Sequence, residues 1–251
     1  IVNKEFKRMM GKFFIFVGDG GNGKGTLLAI IRMILNKKNC TGLSISNMSD
    51  ERYFTTMQGK LVNLGDDIQD EAINHEQMKH LKNISTCDFV STRELFKQSR
   101  EVELTSTLIF TSNHILKSFE KGESYKRRVD WLPMYSKPKK KDKKFISNLT
   151  TDAALEYWLR LIVEGYMRLY ENEKFTESDI VTKFNTDYHS ENNSVLQYLE
   201  DYDKDHFIGR RSPDVHEQYE IWAEEHGFNV QSRKLLISSM YDVYGRTLGV
   251  K

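Results

Sequence analysis

At 251 residues the chain can bury roughly 70–75% of its unfolded surface and hold one large or two modest domains. Its 37 Lys and Arg against 36 Asp and Glu give a net charge of +1, which excludes a uniformly basic surface; any nucleic-acid contact has to come from local patches. Cys40 and Cys87 show neither metal-type nor disulfide-framework spacing, the seven histidines lack ligand spacing, and no run approaches the ~18 apolar residues of a membrane span. The expectation is a soluble, cytoplasmic protein with no structural metal and no membrane partner. The first residues, Ile1-Val2-Asn3, carry no signal-like pattern, and with an end at Lys251 they suggest a fragment of a longer protein.

In chain order, Glu5–Met10 reads as the end of a helix and Phe13–Val17 as a buried strand. Gly18-Asp19-Gly20-Gly21-Asn22-Gly23-Lys24-Gly25-Thr26 follows, and Thr26–Leu35 reads as a helix with an apolar face. Strand, glycines, lysine and helix in this order make a phosphate-binding loop. Glycines let backbone N–H groups turn toward an anion, Lys24 supplies a point charge for β- and γ-phosphates, and the helix N-terminus adds its positive dipole end. The expected nucleotide-binding set is Gly18, Gly20, Gly21, Asn22, Gly23, Lys24, Gly25, Thr26 and Leu27. The usual pattern follows the lysine with Ser or Thr for Mg²⁺; Gly25 intervenes here, so Thr26 either ligates the metal, acts through water, or does not ligate it.

After a polar loop at Asn36–Asn39, Ser49-Asp50-Glu51 looks like a helix start. Lys60–Asp67 is a short apolar strand ending in two acids, although Asn63 inside it weakens the apolar signature. Downstream of a phosphate loop this is the Walker B arrangement, with Asp66 orienting Mg²⁺ and Asp67 polarising water. An acidic turn at a strand end is the plain alternative. Glu76–Ile84 has helical period, with Met78, Leu81 and Ile84 inside and Lys79 and Lys82 outside. Phe89–Thr92 and Val102–Leu104 flank a polar segment with Lys97 and Arg100 and read as a long hairpin. Leu108–Asn113 is another buried strand, and its terminal Asn113 is placed to hydrogen-bond a lytic water or a γ-phosphate.

Tyr125-Lys126-Arg127-Arg128 then precedes a short apolar strand at Val129–Pro133. Lys137–Lys144 is a charge run read as an exposed loop. Ala153–Tyr170 is amphipathic, with Leu155, Trp158, Leu159, Ile162, Val163 and Tyr166 expected in a core. Ser178–Leu199 continues helical. From about Asp203 the character changes to a small unit, with helices over Asp214–His226, closed by Gly227, and Ser232–Tyr244, placing Leu235, Leu236, Ile237 and Met240 inside. It reads as a winged-helix module or a plain helical appendage.

The series Gly-Asp-Gly-Gly-Asn-Gly-Lys, Leu-Val-Asn-Leu-Gly-Asp-Asp, Leu-Lys-Asn-Ile-Ser-Thr-Cys-Asp, basic hairpin, Leu-Ile-Phe-Thr-Ser-Asn and Tyr-Lys-Arg-Arg-Val resembles superfamily 3 helicases, and among them the phage, plasmid and poxvirus primase-helicases. The likeness is specific from Met10 to Tyr135 and more diffuse to Tyr244. It implies an α/β fold: a P-loop AAA+ ATPase core over residues 1–150, a helical lid over 151–202 and a winged-helix-like module over 203–251. It further implies ATP and Mg²⁺ as cofactors and Asn113 as a sensor. Arg128, or else Arg127, would be an arginine finger reaching a neighbouring subunit. A hairpin gripping DNA through Lys97, flanked by Arg100 and Phe96, also follows from it. The implied partners are single-stranded and forked DNA, further copies of the chain in a hexameric ring, and a primase or polymerase domain elsewhere in the full-length chain. The implied setting is a virus, phage or mobile element in its host cell. Thr86-Cys87 stand where that family has two glycines before the matched Asp88. Two other functions fit parts of the sequence. Gly-Lys-Gly-Thr also suits an adenylate-kinase-like phosphotransferase, and the core motifs also suit an AAA+ loader or remodelling ATPase that does not unwind.

Overall fold

The structure is a computed structural model and describes residues 4–68, 73–93, 97–114, 123–138, 144–191, 194–228 and 230–245. The chain divides into two compact units, Ile1–Asn185 and Thr186–Lys251.

The first unit is α/β. Helix α1 (Lys4–Met10) leads into β1 (Phe13–Val17), and α2 (Lys24–Leu35) follows the glycine loop. After β2 (Cys40–Thr41), two 3₁₀ segments, Ser46–Ser49 and Glu51–Met57, occupy the stretch expected to start a helix. Asp50 caps the second by accepting from the Arg52 N–H at 3.0 Å. Then come β3 (Val62–Ile68), α3 (His75–Ser85), the hairpin β4 (Phe89–Thr92) and β5 (Arg100–Glu103), β6 (Thr107–Ser112), the short α4 (Glu123–Lys126) and β7 (Val129–Pro133). Helices α5 (Phe145–Leu149), α6 (Asp152–Asn172) and the start of α7 (Asp179–Glu191) complete the unit.

Five strands form one parallel sheet in the order β2-β3-β6-β1-β7, and β4 and β5 pair antiparallel as a separate ribbon. In β1, Phe13, Ile15 and Val17 are buried and Phe14 and Phe16 half-buried, the near-continuous apolar run of a strand covered on both faces. Phe14 meets Phe175 edge-on at 5.5 Å. Met78, Leu81 and Ile84 of α3 are fully buried as expected, and Asn74 and Gln77 close a capping box at its start.

Two asparagines finish the sheet where strands run short. Asn63, expected to weaken β3, is fully buried. Its Oδ1 accepts from the Leu43 N–H at 2.8 Å and the Thr41 hydroxyl at 2.9 Å, and its Nδ2 donates to the Leu43 carbonyl at 2.8 Å. The two-residue β2 is thereby extended by a side chain that imitates a strand. At the other edge Asn185 does the same for β7: Trp131 N–H donates to its Oδ1 and its Nδ2 donates to the Trp131 carbonyl, each at 2.9 Å. Both side chains satisfy backbone groups at the sheet edges.

Helix α6 departs from expectation, since none of its residues is buried. Leu155 and Trp158 are half-buried, whereas Leu159, Ile162, Val163 and Tyr166 are exposed. Helical period reports that a helix has an apolar side, and only the neighbours decide how wide a stripe they cover.

Of the run expected to be helical to Leu199, residues 192–193 lie outside the described residues; in the second unit α8 is Ser194–Glu200, followed by α9 (Ser212–Glu225) and α10 (Arg233–Tyr244). Its core gathers Val195, Tyr198, Phe207, Val215, Tyr219, Leu236 and Met240, with Tyr198 5.3 Å from Tyr219 and 5.6 Å from Trp222 between ring centroids. Leu235, expected inside, faces solvent. Among the described residues of this unit there is no strand. Residues 186–251 hold seven Lys and Arg against twelve Asp and Glu, so the unit is acidic. Among the described residues of the chain no helix is long and apolar enough to cross a membrane.

Candidate functional site

Because the five strands are parallel, their carboxyl ends lie at one edge of the sheet, the edge where open α/β sheets place ligands. The loop after β1 is held there by close backbone fits. Gly18 has φ +151°, and a Cβ on it would collide with the Met134 carbonyl and the Asn22 amide. Asn22 Nδ2 donates to that same Met134 carbonyl at 2.7 Å, tying the loop to the end of β7. Gly21 and Gly23 have φ +83° and +95°, left-handed values that glycine adopts without a Cβ penalty. Gly23 is also the N-cap of α2 and offers no side-chain cap, so no cap side chain takes the N–H groups of the helix's first turn. Leu27 N–H donates to the Gly23 carbonyl at 2.9 Å and closes that turn.

Lys24 is 8% exposed. Its ammonium donates to the Gly18 carbonyl, to the Asp19 carbonyl at 3.3 Å and to Asn22 Oδ1 at 3.2 Å. A buried ammonium beside a glycine loop at a helix N-terminus fits a multiply charged phosphate. Asp19 pairs with Lys137 at 3.0 Å, and that hydrogen bond and charge hold its carboxyl below the usual range.

Asp66 is exposed at the carboxyl end of β3, and the Thr111 hydroxyl donates to its Oδ1 at 2.6 Å. Thr111 is 1% exposed. β6 runs between β1 and β3, and Asn113 directly follows its end. A cavity of about 360 Å³ collects loop residues 20–26 with Asp66, Thr111 and Asn113. Two strand spacings of ~4.8 Å put the end of β3 about 10 Å from the loop, leaving room for a phosphate and its ligands between them. The fold thus brings together Gly20, Gly21, Asn22, Gly23, Lys24, Gly25, Thr26, Asp66 and Asn113, while Gly18 and Leu27 support the loop from its base and the first helical turn. Asp67 follows in β3, and its side chain lies outside the described residues.

Thr26 lines the cavity with Asp66, and a Cβ at Gly25 would meet nothing within 4 Å. Among the described residues no group of three or more His, Cys, Asp or Glu is set to hold a metal. Mg²⁺ in nucleotide sites takes one or two protein ligands together with phosphate oxygens and water, which Asp66 and Thr26 fit. Thr111 was not among the expected site residues. Its signal in the sequence is positional: two residues before Asn113 in a strand, it shares that residue's face.

The remaining expected residues lie elsewhere. Val129 pairs with Phe13, and Phe13 N–H donates to the Arg128 carbonyl at 2.8 Å, so Arg128 sits at the amino edge of the sheet. Five strand residues at ~3.3 Å separate it from the loop by about 16 Å. Arg127 and Arg128 line a different cavity of about 360 Å³ with Arg8, Met10 and Thr86. The β4–β5 hairpin also springs from the amino edge, where Glu103 leads through Ser106 into β6. Lys97 is exposed, Arg100 donates to Gln58 Oε1 at 2.9 Å, and Phe96 lies outside the described residues.

Helix α1 is bound to this edge by three basic side chains. Lys4 pairs with Glu103, Lys7 donates to the Ser106 carbonyl, and Arg8 Nε donates to the Thr86 carbonyl at 3.1 Å. Burial pushes the Lys7 ammonium down to about 8, opposed by the neighbouring Cys87. Cys87 has φ +54°. Its N–H donates to the Ile84 carbonyl at 3.2 Å and the Asp88 N–H to the Asn83 carbonyl at 2.8 Å, a Schellman close to α3. The left-handed turn that a glycine would make is therefore kept by a cysteine.

A family described as "Family of unknown function (DUF5906)" matches residues 16–128, which run from the end of β1 to Arg128. No curated protein matches the chain. Among solved structures, the chain is similar to the A form apo structure of the NrS-1 C-terminal region, at 15% identity and a TM-score of 0.47, over 60% of this chain and 36% of that one. Two apo structures of NrS-1 C-terminal region (305-718) are each 16% identical, with TM-scores of 0.45 and 0.48 over 60% of this chain and 35% and 37% of theirs. The chain spans just over a third of the length of these structures.

Proposed function

We propose that this chain carries the ATPase of a DNA helicase of the superfamily 3, AAA+ type, hydrolysing ATP between subunits of a ring and using the hydrolysis to move on single-stranded DNA at a fork. The observation that carries this reading is the convergence of the glycine loop, Asp66 and Asn113 on one cavity at the carboxyl ends of three neighbouring strands. A loop alone serves many nucleotide enzymes. A carboxylate two strands away, with an amide on the strand between, suits attack of water on a terminal phosphate.

In this reading the inward amides of residues 20–25 and Lys24 hold the phosphates. Asp66, steadied by Thr111, and Thr26 hold Mg²⁺, whose charge neutralises phosphate oxygens. Asp67 and Asn113 orient the water. Arg128, too far from its own loop, serves the site of a neighbouring copy, with Arg127 as the alternative, and six copies close the ring. Lys97, Arg100 and Phe96 grip the strand. The acidity of residues 186–251 leaves that grip to the first unit, and α9 and α10 supply the helical part of a winged-helix-like module. The functional parts are then a core over 1–150, a helical region over 151–202 and the module over 203–251, acting in the host cytoplasm of a virus, phage or mobile element.

The test is ATP hydrolysis with and without single-stranded DNA, alongside unwinding of a forked duplex. Lys24→Ala abolishes both, whereas Lys97→Ala keeps basal hydrolysis and loses unwinding. Arg128→Ala lowers hydrolysis on the order of 10³-fold with nucleotide binding intact. Mixing Arg128→Ala with Lys24→Ala subunits restores part of the activity, because some interfaces then pair an intact loop with an intact arginine. ATP-to-nucleoside-monophosphate transfer without DNA stimulation would instead establish a phosphotransferase, and DNA-stimulated hydrolysis without unwinding a loader.

A further inference from the structure

β7 ends beside the glycine loop, on the side away from Asp66. In the order β2-β3-β6-β1-β7 the candidate metal carboxylate lies two strands from β1 in one direction, and β7 is the neighbour in the other. Val17 pairs with Pro133, so the residues after Pro133 run on level with the loop that follows Val17. Contacts fix them there. A Cβ on Gly18 would collide with the Met134 carbonyl, Asn22 Nδ2 donates to that carbonyl at 2.7 Å, and Lys137 donates to Asp19 at 3.0 Å. Tyr135 lies between the two residues that touch the loop, and it is itself 67% exposed.

A single exposed tyrosine needs no explanation; the place and support of this one give it a use. Phe184 of α7, half-buried, stands against it with ring centroids 6.4 Å apart and planes at 64°. In such an edge contact Phe184 covers at most one face of the Tyr135 ring, which leaves the other for a flat aromatic partner. A nucleotide in the loop carries one. Its terminal phosphate belongs in the cavity with Asp66 and Asn113, so its nucleoside leaves the loop by a different side. The end of β7 is one strand spacing, ~4.8 Å, from the end of β1, within reach of a base joined to its phosphates through a single ribose. Met134 has no backbone group to offer that base, since its N–H donates to the Val17 carbonyl at 2.8 Å and its carbonyl accepts from Asn22. What the end of β7 offers is the ring face of Tyr135, and aromatic rings stack on nucleobases whatever their edge pattern.

We propose that Tyr135, backed by Phe184, stacks the base of the nucleotide whose phosphates the glycine loop holds; this rests on the nucleotide reading given above. The test is calorimetric titration in Mg²⁺ with a non-hydrolysable ATP analogue and, separately, with inorganic tripolyphosphate, which has the phosphates and no base. Tyr135→Ala weakens the analogue at least ~10-fold and leaves tripolyphosphate as in wild type, which also shows that the variant folds. Tyr135→Phe keeps the ring and binds the analogue like wild type. Lys24→Ala weakens both ligands. Tyr135→Ala binding the analogue as tightly as wild type overturns the base contact and leaves the loop reading standing. Equal loss of both ligands in Tyr135→Ala also overturns it, because Tyr135 then only props the loop. Wild type that does not bind the analogue overturns the loop reading and this inference with it.

Discussion

Thr111→Val isolates the contact that orients the candidate metal carboxylate. The two side chains have nearly the same shape, and Thr111 is buried in β6, so the sheet keeps its packing while Asp66 loses a 2.6 Å hydrogen bond. A hydrogen bond to a charged group contributes ~1.5–3 kcal/mol, and because Asp66 is open to water on the cavity side, roughly 1–2 kcal/mol of that is lost. At 1.36 kcal/mol per factor of ten this is about 5- to 30-fold, overlapping the lower end of the ~10–100-fold that removal of an outer partner costs a metal site. The assay is fluorescence of a bound ATP analogue titrated with Mg²⁺ and repeated with chelator. The expected result is a Mg²⁺ requirement raised 5- to 30-fold and an unchanged affinity in chelator. An unchanged Mg²⁺ requirement would show that Thr111 only packs, and an equal loss with and without metal would show that the loop itself had moved.

Asn63→Leu removes the partner of the Leu43 N–H and carbonyl in a half-buried position and so costs about 1–3 kcal/mol, read as a fall in the denaturation midpoint; a neutral result would refute the strand-extending role. Gly25→Ser places a hydroxyl directly after Lys24 in open space: stability stays within about 1 kcal/mol of wild type and Mg²⁺-dependent nucleotide affinity rises, whereas a fall in that affinity would mean Thr26 already fills the role. Lys7 is depressed from 10.5 to about 8 in the folded chain, so the unfolded chain binds more protons between those values. Wild-type stability therefore gains as pH rises from about 8 to 10.5 and loses that gain as pH falls back through 8, a span on the order of 3 kcal/mol. Denaturant titrations of wild type and Lys7→Met across that range test it, since the variant lacks this slope; parallel curves would refute it.

Much of the site was legible because it is local. Glycines 18–25, Lys24 and the apolar strands before and after them specify a strand, a left-handed loop and a helix N-terminus within some twenty residues, and each preference concerns neighbours in the chain. Strand ends at Asp66 and Asn113 were legible for the same reason. Parallel pairing then brings them together, since strands that all point one way deliver their last residues to one edge. What tertiary structure decided involves partners far apart in sequence: Thr111 on Asp66, Asn63 on Leu43, and Asn185 on the free edge of β7. Asn63 looked like a defect in an apolar strand, because its worth depends on which backbone group pairing leaves unsatisfied. The same holds for α6, whose period announced an apolar side without saying how much of it the chain could cover. Sequence by itself determined which segments become strands, loop and helices through local conformational preference; register and packing alone decided which of their side chains meet.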